Sequence, residues 1–354
     1  MHVKLSFSVI FGGSCYIAAA RYTNEDTARW AERLGSGRWW RRGQEQPTDR
    51  EIARAKQIVA TKDAQTTLNT LPARLSFLPR VLATPILRIY VSFREWTLNT
   101  PSARLAPMIL VAGMAVVFAG WKVKRFEPWM KTWWLHRPVL LGGSAISEWA
   151  NPVTLITSVL SHQSLPHFAF NSIALVSFGS SAYLFLSSPH DRTQSLSSSS
   201  HTPHFLAFLL CAGLTSSLAS HLWTNLFRLP RLLRSLSSPA RLSSTQALAA
   251  HQAILPSLGA SGAIYAALTM TACAYPDSQV GIIFIPFIRM PIGLGVTAIV
   301  ALDLVGLIRG WRLFDHVAHL GGAFFGIVYY QYGRQLWVWT RRQLGAREKD
   351  SGFD

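Results

Sequence analysis

Stretches without a charged residue recur along the chain at Leu5 to Ala20, Leu105 to Trp121, Phe168 to Leu186, Phe205 to Ala219, Ala260 to Tyr275, Pro291 to Leu302 and His316 to Tyr332. Several approach the roughly 17 to 25 residues that a helix needs to cross the hydrocarbon layer, and flanking residues complete the shorter ones. The pattern predicts an all-α fold, a polytopic transmembrane helical bundle. Its expected parts are an extra N-terminal transmembrane helix over 1–20, a polar extramembrane segment over 21–104 that is partly helical around Asp49 to Thr61, a six-helix block over 105–333, and a polar tail over 334–354.

Composition agrees with a membrane protein. Of 354 residues, 49% are hydrophobic and only 14% charged, far from an ordinary soluble domain. The net charge of +17 would suggest nucleic acid in a soluble chain. Here the basic residues fall between apolar runs, where they meet anionic lipid headgroups, and no aromatic-basic groove motif accompanies them, so no nucleic-acid partner is expected. Both faces of the alternating bundle carry arginine and lysine, so charge does not orient it. Oligomeric state is not legible. Cys15, Cys211 and Cys273 lie inside apolar runs without motif spacing and read as small hydrophobes. The tryptophan-rich segment Lys122 to Pro166 is expected to lie at headgroup level. Two serine-rich stretches, Gln194 to Ser200 and Ser235 to Ser244, read as linkers. Thr224 to Pro256, with Arg228, Arg231, Arg234 and Arg241, is expected on a lipid surface.

Alternation of the crossings brings the candidate chemistry to one face. The second, fourth and sixth runs of the block start from the same side, and they open with His167 and Asn171, with Ser261, and with His319. Polar groups in lipid are costly and mark function or a satisfied pair. A serine hydroxyl needs a base to take its proton, and a neutral imidazole serves at physiological pH. Ser261 with His319 would form such a dyad. His167 and Asn171, at i and i+4 on one helix face, would supply oxyanion donors with the Ser261 N–H. Gly322 and Gly326 share the His319 face as a small-residue stripe, and Gly262 with Ala266 offers a matching one. Asp315 is placed to cap the last helix. Singly, each has a structural alternative: the serine bonding a backbone carbonyl, the histidines and Asn171 acting as interhelical hydrogen bonds, and Asp303 bonding a neighbouring helix for stability alone. His162, His167, His316 and His319 invite a zinc reading, but without the paired spacing of a zinc helix no metal and no cofactor are expected.

Together these residues resemble the rhomboid intramembrane serine proteases. The match runs through Ser161-His162, then His167-Phe168-Ala169-Phe170-Asn171, Gly259-Ala260-Ser261-Gly262, and Ala318-His319-Leu320-Gly321-Gly322 with Gly326. It covers roughly Leu105 to Tyr332. Leu258 to Ile264, Phe314 to Gly322, Ile283-Phe284-Ile285-Pro286 and the extra apolar run look closest to the mitochondrial, presenilin-associated rhomboid-like branch. The resemblance implies a one-plus-six layout in the mitochondrial inner membrane, with Ser261 as nucleophile, His319 as base, and His167 and Asn171 on the oxyanion. It implies an endopeptidase that acts on single-span transmembrane proteins, its partners besides lipid. The Thr224 to Pro256 insertion is long for the family. The chain opens almost directly on the extra run, as a processed form or an incomplete gene model would. The alternatives are a catalytically silent rhomboid-like protein that holds membrane clients, a transporter with a polar midplane site, and a zinc-dependent membrane hydrolase.

Overall fold

In the computed structural model the described residues are 2–35, 47–139, 152–188, 196–236, 254, 256–282, 285–311 and 314–346. Eleven helices are named here. They are α1 (His2–Gly35), α2 (Asp49–Arg74), α3 (Arg80–Asn99), α4 (Ser102–Lys122), α5 (Glu127–Trp133), α6 (Leu165–Ser187), α7 (Thr202–Trp223), α8 (Leu229–Leu236), α9 (Ser261–Ala274), α10 (Ile292–Arg309) and α11 (His316–Gln343). Among the described residues, five helical stretches are long and apolar enough to span a membrane: α1, α4, α6, the run Thr202–Arg234, and α10. The architecture is an all-α polytopic membrane bundle.

The shortest of the apolar helices is the hub. α9 packs against α11, α6, α7 and α10, and every residue from Gly262 to Ala272 except Tyr265 is buried. Fourteen residues at about 1.5 Å each give a rod of roughly 21 Å. That is less than the hydrocarbon thickness of about 30 Å, so a helix this short stops inside the bilayer at one end or both. Small side chains permit the crowding. A Cβ at Gly322 would run into the Gly262 carbonyl, and one at Gly326 into Thr269 and the Ala266 carbonyl, so α11 meets α9 backbone to backbone.

The extra helix extends well beyond its apolar run, to Gly35, and packs on α7 and α11. Tyr16 on α1 reaches Tyr329 on α11 (3.1 Å between hydroxyls), and Tyr329 in turn meets His204 Nε2 at 2.8 Å. The segment between α1 and α4 is more helical than expected: a Thr48 capping box with Glu51 starts α2, and α3 packs on it, with Arg94 and Tyr90 donating to the Ala60 and Ala64 carbonyls.

One expectation needs correction. The described part of Gln194 to Ser200 is no loose linker: Ser197, Ser198 and Ser199 are buried. Arg341 donates to the Ser198 hydroxyl, the Ser197 carbonyl and Asn24 Oδ1, while Ser199 donates to Asp26. Short hydroxyls fit between packed helices and satisfy a buried guanidinium, something composition does not reveal. Before α10, two strands pair antiparallel, β1 (Gln279–Ile282) and β2 (Ile285–Pro291), with a sequence rich in β-branched and aromatic residues. Of the other features singled out above, 237–244 of the second serine-rich stretch, Arg241, and Ile283-Phe284 lie outside the described residues.

Candidate active site

Three helix starts converge beside one cavity. Ser261 is the first residue of α9, His319 lies one turn into α11, and His167 and Asn171 occupy the first turns of α6. Local chemistry fixes each start. Ser164 accepts from the His167 N–H to begin α6. Asp315 accepts from the Ala318 N–H to begin α11, and its other oxygen accepts from Ser220 on α7 (2.6 Å) and Ser257 (2.9 Å). One carboxylate therefore ties the helix bearing His319 to α7 and to the chain entering Ser261. That chain turns at Gly259, whose φ of +119° favours glycine. A Cβ there would lie 2.6 Å from the His167 ring. The Gly259 N–H donates to Ser158 O at 2.8 Å, fixing the turn further.

At the centre, Ser261 Oγ lies 2.9 Å from His319 Nε2. His319 Nδ1 faces Asp303 on α10, at 3.1 and 3.3 Å from its two oxygens. The same carboxylate takes His316 Nδ1 at 2.6 Å and the Tyr265 hydroxyl at 2.5 Å. A carboxylate only accepts, so Nδ1 of His319 carries the proton and Nε2 presents its lone pair to the serine. The Tyr265 ring stacks on the imidazole, with centroids 4.3 Å apart and planes 13° from parallel. His319 is thus held by a carboxylate on its edge and an aromatic ring on its face. Such a chain can move a proton from hydroxyl to imidazole without moving a heavy atom far.

A cavity of about 1000 Å³ is lined by Ser261, His319, His167 and Asn171. The segment between α4 and α6 borders it through Ser158, Gln163 and Ser164. Asn171 is 6% exposed and its amide donates to the His167 carbonyl at 2.8 Å, back along its own helix. The His167 ring stands edge-on to His162, 4.8 Å between centroids. Burial above all, then the His167 imidazole, pushes His162 down to about 4, so it stays neutral, and its Nε2 lies 3.4 Å from the Ala260 N–H, which donates to it. As the first residues of α9, Ser261 and Gly262 present N–H groups that have no partner within the helix. Among the described residues no three His, Cys, Asp or Glu side chains are placed to hold a metal ion.

The sequence reading missed the place of Asp303. It lies sixteen residues before His319 on another helix, so no local spacing links the two; its depth in an apolar run was the only signal.

A rhomboid domain pattern matches residues 150–335. The chain is 30% identical over 249 residues to the mitochondrial presenilin-associated rhomboid-like protein of Homo sapiens, covering 70% of this chain and 53% of that one. Against the Mus musculus protein of the same description it is 32% identical over 234 residues, 66% of this chain and 50% of the relative. Against the mitochondrial Rhomboid protein 1 of Saccharomyces cerevisiae it is 30% identical over 182 residues, 51% and 41%. The chain spans about half the length of the curated relatives it matches. Domain match, identity and coverage lead to one conclusion: this chain belongs to the rhomboid family and is a multi-pass membrane protein of the mitochondrion.

Proposed function

We propose that the protein is an intramembrane serine endopeptidase of the inner mitochondrial membrane that cuts single-span transmembrane proteins. Rhomboid family members are generally intramembrane serine proteases. The observation that carries the proposal for this chain is the 2.9 Å approach of Ser261 Oγ to His319 Nε2 beside a cavity. Ser261 Oγ attacks the scissile carbonyl carbon as His319 Nε2 takes its proton. The tetrahedral intermediate collapses, the C–N bond breaks, and His319 returns the proton to the leaving amine. Water, activated by the same imidazole, then hydrolyses the acyl-enzyme. Asp303 holds the Nδ1–H tautomer and stabilises the imidazolium, extending the expected dyad by a third member. The Ser261 N–H, His167 and Asn171 serve the oxyanion, Asn171 after its amide leaves the His167 carbonyl.

A substrate helix hides its amides in internal hydrogen bonds, so cleavage requires local unwinding, and helix-breaking residues near the scissile bond favour it. The test is cleavage of a transmembrane substrate by the protein reconstituted in vesicles, beside Ser261→Ala and His319→Ala. The proposal expects cutting by the parent and none by either variant; equal cutting by all three would refute it. A catalytically silent client-binding protein would bind such a substrate and cut nothing. A zinc hydrolase would lose activity to chelators and retain it in Ser261→Ala.

A further inference from the structure

The wall of the cavity opposite His167 belongs to α7 and its continuation. Ser217, Ser220, Thr224, Arg228 and Arg231 all line it. Their spacing of three or four residues is one face of a helix. The stripe continues through the π-helical turn Thr224–Arg228 into α8, and π turns inside helices are frequent at functional sites. It is hydroxyl-bearing near Ser261 and cationic farther out. The outward face of the same stretch carries Leu226, Phe227 and Leu233, 50%, 44% and 56% exposed. The two arginines therefore line the cavity, and Leu226, Phe227 and Leu233 lie on the other, exposed side of the stretch.

Neither guanidinium is paired among the described residues. No hydrogen bond or ion pair involves Arg228 or Arg231 among the described residues. The lone carboxylate among the described cavity-lining residues is Asp315, which is already committed to Ala318 N, Ser220 and Ser257. A cleft lined by charges of one sign focuses their field. An uncompensated guanidinium pair accepts carboxylates in preference to other groups, through charge-assisted, forked hydrogen bonds.

We infer that Arg228 and Arg231 are a specificity element that selects substrates bearing an acidic side chain near the scissile bond, in the segment that enters the cavity. The inference rests on the protease reading and adds the chemistry of the substrate to it. The substrate's unwound segment lies along the α7 to α8 stripe, its backbone meeting the hydroxyls and its carboxylate reaching the guanidiniums.

The test uses one transmembrane substrate in which Glu, Gln or Lys is placed in turn at each position flanking the cut, in neutral phosphatidylcholine vesicles. Two quantities are read: kcat/KM for the parent, and affinity for the uncleaved substrate in Ser261→Ala, followed by energy transfer between labelled partners. At one or more positions the Glu substrate exceeds the Gln substrate about fivefold in both, the size of a partly screened charge pair. The preference fades toward unity at about 1 M salt, where the Debye length is near 3 Å. The ratio collapses in Arg228→Gln/Arg231→Gln, and Arg228→Glu/Arg231→Glu prefers the Lys substrate.

A Glu-to-Gln ratio of one at every position in the parent overturns the inference without any variant having to fold. So does a ratio that survives the double substitution. If phosphatidylglycerol in the vesicles changes the rates of parent and variants differently while substrate charge has no effect, the arginines serve lipid and the inference is again overturned. Failure of the protease reading looks different: the parent cuts nothing, while the affinity ratio in Ser261→Ala still reports on the arginines.

Discussion

Replacing Asp303 by asparagine preserves shape and removes one property, the ability to accept on every side. The carboxylate takes donors from His319 Nδ1, His316 Nδ1 and Tyr265. Asparagine offers a single acceptor oxygen and a donating NH2, so one of the three donors faces another donor. The cheapest relief is for His319 to switch tautomer, accepting from the new amide at Nδ1 and carrying its proton on Nε2. That proton then points at Ser261, and the imidazole can no longer take the serine's. In Ser-His-Asp serine proteases the same exchange lowers kcat about 10⁴-fold. Here the stacked Tyr265 ring still holds the imidazole plane, so the expected loss in Asp303→Asn is roughly 10²- to 10⁴-fold, or about 3 to 5.5 kcal/mol at 1.36 kcal/mol per decade. The assay is single-turnover cleavage in vesicles with enzyme in excess, which separates chemistry from substrate encounter. Thermal unfolding is read on the same sample. A folded Asp303→Asn that cuts within twofold of the parent would show that His319 needs no carboxylate.

Three further outcomes follow from the packing. Gly322→Leu drives a side chain into the Gly262 backbone and forces α9 and α11 apart; overpacking of this kind costs about 1 to 3 kcal/mol or more, and the 2.9 Å contact is lost with it, so an unchanged melting temperature and rate would contradict the close approach. Asp315→Ala removes the cap of α11 and the acceptor for Ser220 and Ser257; about 1 kcal/mol of stability for the cap and a fall in kcat larger than the change in KM are expected, while Asp315→Asn retains part of both. Acidification weakens the fold: burial first, then neighbouring imidazoles, holds His136 and His162 below the ordinary histidine value, His162 at about 4. Between about pH 6.5 and 4 the unfolded chain binds protons that the native one refuses, so stability is full above that window and declines as pH falls through it. A melting temperature flat from pH 7.5 to 5 would contradict this.

The bundle was legible because hydrocarbon demands uninterrupted apolar runs, so the charge-free stretches mark where the helices of the core fall. Alternation adds which helix ends share a side, and Ser261, His319, His167 and Asn171 do line one cavity. What stayed hidden depends on partners between helices. Asp303 meets His319 because α10 and α11 pack side by side, and periodicity says which face a residue occupies but not which neighbour covers it. Tyr265, whose ring lies flat on His319, was invisible for the same reason. Ser197 to Ser199 looked like spacer because composition carries no sign of the buried Arg341 they satisfy. That Arg228 and Arg231 line the cavity was hidden as well, because the rotation of α8 follows from the π-helical turn before it.

In the proposed mechanism the Ser261 hydroxyl is a nucleophile because the His319 imidazole can take its proton. Its most direct measurement is the rate at which a fluorophosphonate modifies the protein in vesicles, with the modified residue located by peptide mass. One adduct is expected, on Ser261, formed at least about 10²-fold more slowly in His319→Ala, the lower end of what a positioned general base contributes. An adduct elsewhere in the chain, or equal rates in the two proteins, would contradict it.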